Sequence, residues 1–215
     1  MKTNENGYYP LFLNVKGREC VVIGGGEVAL RKVEVLLGYC AKVKVISPCI
    51  CAELVELGRQ NNIRVVERKY QTGDIEGAFV AIAATDNNEI NELVVSEARQ
   101  KSVLINVVDD AEKSDFIVPS CLHRGDITIA VSTGGKSPAL ARNLRLKLET
   151  VFGDEYALLA NIIGEVRQEL KIKCIKVNGE VWQKALDIDC LIALLGKGEL
   201  EKARSLLLEN IEAER

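Results

Sequence analysis

The stretch Val21-Val22-Ile23-Gly24-Gly25-Gly26-Glu27-Val28-Ala29-Leu30-Arg31-Lys32 sets three consecutive glycines between an apolar β-branched run and a helix-like pattern. Around it, residues 18–108 alternate short apolar runs with longer helical patterns: ECVVIGG, Val28 to Leu37, KVKVIS, Cys51 to Gln60 and IRVVERK, then AFVAIAAT, Glu89 to Arg99 and VLINVV. Near-continuous apolar strands that alternate with helices mark a parallel sheet covered on both faces. After Asp109 the texture changes. FIVPSCL and HRGDITIAVST read as two short strands, and SPALARNLRLKLE as a helix. A pair of strands this short does not stand alone and is expected to pack against a partner. From Gly153 onward the apolar residues (Leu158, Leu159, Ile162, Ile163 and Val166, then Leu191, Leu194 and Leu195, then Leu206 to Leu208) recur at helical spacing. Gly196-Lys197-Gly198 separates the last two helices.

The expected fold class is α/β: an N-terminal Rossmann-like doubly wound parallel sheet over residues 1–112, a small α+β segment over 113–150, and a C-terminal helical domain over 151–215. Composition agrees with a folded chain of one or two domains. Of 215 residues 47% are apolar and 27% charged, far from the profile of disordered chains. The net charge of −3 gives no global positive field for nucleic acid. No apolar run approaches the ~20 residues of a membrane span. The seven cysteines, at 20, 40, 49, 51, 121, 174 and 190, include no CxxC pair, and with no secretory leader they read as reduced thiols of a cytoplasmic protein. Cys49 and Cys51 offer only two ligands, so no metal site is expected. The polar N-terminal MKTNENG is expected to fray.

Gly24, Gly25, Gly26 and Ala29 make the pattern G-x-G-x-x-A at the first strand-to-helix turn. In a dinucleotide-binding turn the first glycine makes the tight bend, the second admits a pyrophosphate against the backbone, and a small third residue lets helix and strand approach. The helix start then offers unpaired N–H groups to phosphates. The same glycines would also serve a tight turn with no ligand. An acidic residue about 20 positions on usually grips the ribose, yet here the second strand ends in Ile46-Ser47-Pro48. Ser47 is one candidate for the ribose; Glu27 is another, or else a partner of the helix dipole. The residues alone leave NAD and NADP open.

Two further strand ends carry candidates. Ala83-Ala84-Thr85-Asp86-Asn87 is small enough for a ring or ribose to lie over it, and Thr85 or Asp86 equally suits a helix cap. Asn106-Val107-Val108-Asp109-Asp110 brings two carboxylates to the same sheet edge, where one can move a proton or simply begin a turn. Asn106 is assigned to the substrate side. Farther on, Ser132, Thr133, Gly134, Gly135, Lys136 and Ser137 form a hydroxyl-rich turn suited to an anion, with Arg142 and Arg145 extending a cationic rim. The alternative is a capped amphipathic helix with solvated charges.

In order, YYPLFLNVKGRECVVIGGGEVALRK, AATDNNEIN, INVVDDAEKSDFIVPS and AVSTGGKSPALARNLR, which together span nearly all of residues 8–150, resemble the siroheme synthase family in its precorrin-2 dehydrogenase/sirohydrochlorin ferrochelatase portion. The resemblance implies NAD-dependent oxidation of precorrin-2 to sirohydrochlorin, with iron insertion in some relatives. It also implies a homodimer interlocked through the segment after Asp109. By position, Asp109 matches the family's essential aspartate, and Glu27, Val28, Ser47 and Pro48 match cofactor contacts. Ser132, Thr133, Gly134, Lys136, Ser137 and Arg142 would then face the carboxylates of the tetrapyrrole. His123 matches no family motif and is expected at the surface or in a cap. The chain ends at Arg215, short of the methyltransferase module fused to some members, so methylation is expected elsewhere. Thr133 stands where some relatives carry serine. A dimeric NAD-sensing regulatory domain without turnover is the alternative.

Overall fold

The computed structural model describes residues 7–215; the polar N-terminal stretch expected to fray lies almost wholly outside them. The chain divides into two compact units between Val118 and Pro119.

In the first unit five parallel strands, β1 (Glu19–Ile23), β2 (Lys42–Ile46), β3 (Ile63–Val66), β4 (Val80–Ala83) and β5 (Leu104–Val107), take the order β3-β2-β1-β4-β5. Three helices, α1 (Glu27–Gly38), α2 (Ala52–Arg59) and α3 (Asn88–Lys101), form the crossovers. Apart from the edge strand β3, the strands are mostly buried on both faces, and alternation along them divides the core in two. Val21 and Ile23 of β1, Ala81 and Ala83 of β4 and Ile105 of β5 pack with Val94, Val95 and Ala98 of α3. Cys20 and Val22 of β1, Val43 and Val45 of β2 and Ile82 of β4 pack with Ala29, Val33 and Leu36 of α1 and Leu54 of α2. Each fully buried valine or isoleucine contributes roughly 1.5–3 kcal/mol of transfer free energy, so helices on both faces follow from the apolar strands. This is a Rossmann-like α/β fold. The strand order reverses direction at β1 and β4, where such sheets open a crevice at their carboxyl ends.

The second unit begins with an antiparallel hairpin of β6 (Ser120–Arg124) and β7 (Ile127–Val131), in which His123 faces Thr128. Its two-residue turn has Gly125 at φ 54°, the backbone a tight hairpin needs. Helix α4 (Pro138–Val151) packs on the hairpin, and four helices follow: α5 (Glu155–Ile172), α6 (Gly179–Ala185), α7 (Ile188–Gly196) and α8 (Leu200–Ala213). Their core joins Leu159, Ile162 and Val166 to Leu191, Leu195, Leu207 and Ile211. The side chains of Asn178 and Asp187 accept hydrogen bonds from Val181 N (2.9 Å) and Cys190 N (3.2 Å), starting α6 and α7. Among the described residues no helix is long and apolar enough to cross a membrane.

Candidate functional site

The strand exits of the first unit are tied edge to edge. Val108 N donates to Ala83 O (2.9 Å), Ala84 N to Ile23 O (2.7 Å), and Gly24 N to Ile46 O (2.9 Å). The residues just beyond β1, β2, β4 and β5 therefore share one edge, and Gly24 to Gly26, Ser47, Thr85 and Asp109 all lie on it.

The three glycines have three different reasons. Gly24 sits at φ 130°, and a Cβ there would lie 2.2 Å from the carbonyl oxygen of Ala84. At Gly25 a Cβ would lie 2.0 Å from the carbonyl oxygen of Cys49, while Cys51 N donates to Gly25 O (2.8 Å). Gly26 faces open space: a Cβ there meets nothing within 4 Å. It is also the N-cap of α1 with no side-chain cap hydrogen bond, so the orphan amides of the first turn are left to an outside acceptor. Ala29, the third position of the pattern, is fully buried. A cradle open at Gly26 and closed at Gly24 and Ala29 fits a pyrophosphate.

The neighbours of the cradle are of mixed kinds. Ser47 is buried and its hydroxyl donates to Cys49 O (2.8 Å), shaping the loop against Gly25. Pro48 and Glu27 are exposed and Val28 half-buried. Thr85 Oγ1 donates to Asn91 Oδ1 (2.9 Å) and accepts from Asn87 N (3.1 Å), and Asp86 is exposed. The cap of α3 is neither Thr85 nor Asp86, as the alternative reading expected, but Asn87, whose side chain accepts from Ile90 N (3.1 Å); the helix begins at Asn88, one residue before the expected Glu89.

Asp109 follows β5 in a tight turn closed by Asp110 N donating to Val107 O (3.2 Å). Its φ is 62°, the left-handed region that costs an L-residue roughly 1–2 kcal/mol. Its side chain is exposed. Cys40, Asn61, Ser102 and Cys174 share this backbone conformation, so what sets Asp109 apart is an exposed carboxylate at the exit of β5. The turn is fixed by its surroundings: Ser114 Oγ donates to Asp110 O (2.7 Å), Val107 N donates to Ser114 Oγ (2.9 Å), and the buried Asn106 donates from Nδ2 to Phe116 O (2.9 Å). Asn106 thus braces the loop. Lys32 of α1, one turn beyond Ala29, feels the same carboxylate. Burial lowers the pKa of its ammonium, Arg31 lowers it further, and Asp109 pulls it back up. Sequence reading passed over Lys32; its signal was its place three residues after the buried Ala29, on the edge of the inward face.

The hydroxyl-rich turn belongs to the second unit. Gly134 and Gly135 have φ of 62° and 83°. Ser132 Oγ accepts from Gly134 N (3.0 Å), and Thr133 Oγ1 accepts from Ser137 N (2.9 Å). Ser137 caps α4 by accepting from Leu140 N (3.2 Å). The hydroxyls therefore shape the turn, while Lys136 and Arg142 are exposed. Arg145 is engaged by Glu149 one turn on, which takes it out of the expected rim. His123 is exposed on the hairpin, its Nδ1 3.1 Å from Thr128 Oγ1. Among the described residues no group of three or more His, Cys, Asp or Glu could hold a metal ion.

The parallel sheet, its switch point and the uncapped glycine turn define a dinucleotide-binding protein. Residues 11–120 match the family described as "Putative NAD(P)-binding", and residues 124–150 match "Sirohaem biosynthesis protein central". The chain belongs to that NAD(P)-binding family. It is similar to a siroheme synthase of Photobacterium profundum, 38% identical over 84% of this chain and 39% of that protein, and to one of Nitrosococcus oceani, 37% identical over 95% and 44%. The chain spans less than half the length of these curated relatives. Its fold is that of a solved structure described as SirC, precorrin-2 dehydrogenase, with a TM-score of 0.71, 23% identity, and coverage of 96% of this chain and 100% of that one.

Proposed function

We propose that the chain catalyses the NAD-dependent dehydrogenation of precorrin-2 to sirohydrochlorin, acting as a homodimer. The observation that carries this reading is Asp109: an exposed carboxylate held at φ 62° at the exit of β5, on the same sheet edge as the open glycine cradle. A nucleotide sensor has no use for a strained acid there. The names of the similar proteins support the choice of substrate.

In this reading the first-turn amides after Gly26 hold the cofactor's pyrophosphate, and Glu27, Val28, Ser47, Pro48, Thr85 and Asp86 border its remainder. No carboxylate stands at the end of β2 to repel a 2′-phosphate, so the choice of NAD rests on the likeness to the family. NAD, when bound, would supply the acceptor for the hydride, two electrons with one proton, that leaves the reduced carbon of precorrin-2. Asp109 takes the second proton from the substrate, which leaves the tetrapyrrole oxidised by two electrons. Lys32 keeps positive charge near that carboxylate. The turn from Ser132 to Ser137, with Lys136 and Arg142, offers backbone N–H groups and cations to the substrate's carboxylates.

The test is to incubate the purified protein with precorrin-2 and NAD and follow NADH formation together with the sirohydrochlorin absorption spectrum. Neither signal appearing, under conditions where NAD binds, would reject the reading. Ferrous or cobaltous ion added to sirohydrochlorin in the same cuvette decides whether metal insertion follows.

A further inference from the structure

We infer that the groove between the end of α5 and α6 binds a planar aromatic polyanion. It is a shallow, open groove of about 590 Å³, within the roughly 300–1,000 Å³ of small-molecule sites. Arg167 and Lys171 stand one turn apart on α5 and so share a face, and Lys176 follows from the connecting segment; all three line the groove. Trp182 of α6 forms an aromatic wall, with the Arg167 guanidinium carbon 5.4 Å from its ring centroid. A guanidinium at cation–π distance from an indole sets positive charge beside an aromatic surface, a pairing suited to a flat, negatively charged ring.

The three cations have no neutralising task that explains them. Glu169 lies two residues from both Arg167 and Lys171, hence off their face, and it already pairs with Lys173 and Arg204. Among the described residues Arg167, Lys171 and Lys176 make no ion pair, in a chain whose net charge is −3. Nor are they needed to cap α5. Cys174, at φ 55°, donates from its N–H to Lys171 O (3.1 Å), and Ile175 N donates to Leu170 O (2.8 Å), which satisfies the last carbonyls from the backbone. Apolar floor, aromatic wall and unpaired cations together select a flat ring that carries several negative charges. A polycarboxylated tetrapyrrole and a nucleotide both have that chemistry.

Trp182 is the only tryptophan of the chain, so its emission reports on the groove. The experiment titrates the full chain with uroporphyrin and, separately, with ATP. Saturable quenching is expected with uroporphyrin, weakened at least about tenfold in the variant Lys171→Glu/Lys176→Glu and by raised salt. Quenching by ATP alone, with the same loss in the variant, assigns the groove to nucleotides. Titrations that coincide in parent and variant, or no saturable quenching by either compound, overturn the inference. Should the double variant melt early, Lys176→Glu alone, outside any helix, is read in the same way. NAD-dependent turnover measured on the same samples separates failure here from failure of the proposed dehydrogenase.

Discussion

The carbonyl oxygen of Ala84 lies 2.2 Å from the point a Cβ on Gly24 would occupy, so the exit of β4 closes on the turn after β1. Gly24→Ala meets backbone, which cannot step aside, and a φ of 130° as well. The expected cost is roughly 2–5 kcal/mol, strain and overpacking together, visible as a large fall in Tm. Gly25→Ala should behave similarly against Cys49. Gly26→Ala has open space and is expected to leave Tm nearly unchanged while weakening NAD binding. Thermal melts and cofactor titrations of the three variants check the contrast; equal melting losses in all three would refute it.

Asp109→Asn should lower turnover by roughly 10²–10⁴-fold, the usual worth of a placed proton acceptor, with NAD affinity kept within a few fold. Asp109→Gly relieves a left-handed backbone costing roughly 1–2 kcal/mol at the expense of about 0.5–1 kcal/mol in chain entropy. That variant is expected to be as stable as the parent or slightly more so, yet inactive. Full activity in either variant would remove the assignment.

Lys32 offers a direct reading of the field at the site. Asp109 is the one influence that raises the ammonium pKa against burial and Arg31. Removing its charge in Asp109→Asn must therefore move the Lys32 titration to still lower pH. NMR of the labelled lysine side chain follows it, and an unmoved titration would show that the two groups do not interact.

Tyr70 and Glu97 make stability depend on alkaline pH. The hydroxyl of Tyr70 donates to the buried Glu97 carboxylate, which also accepts from Gly73 N (2.9 Å). Burial, then the bond to Glu97, pushes the phenol well above its ordinary value. A raised pKa contributes stability that is complete below the unfolded value of about 10 and is lost as pH rises toward the folded one. Tyr70→Phe should flatten that alkaline loss and cost roughly 1–3 kcal/mol at neutral pH, since Glu97 loses a donor. Denaturant titrations across pH 8–11 distinguish the two curves.

How legible these features were depends on their range along the chain. The strands of the parallel sheet announced themselves as apolar runs because both faces are buried, and the turn after β1 could be placed because glycines interrupt that run. The reason for Gly25 could not be read, because Cys49 is 24 residues away and only the fold brings its carbonyl there. The cap at Asn87 rather than Thr85 or Asp86 turns on one hydrogen bond among three suitable side chains. Asp109 stood out as an acid at a strand end; its left-handed backbone, and its effect on Lys32 of another element, are properties of the folded chain.

Because Gly24 bonds to Ile46, Gly25 abuts Cys49, and Cys51 bonds back to Gly25, the first two crossovers form a single mechanical part. A chimaera that imports residues 21–32 from a distant relative, while keeping the native 46–51, would bring mismatched halves of one joint. Recombination between such genes should be tolerated only when both pieces travel as one cassette.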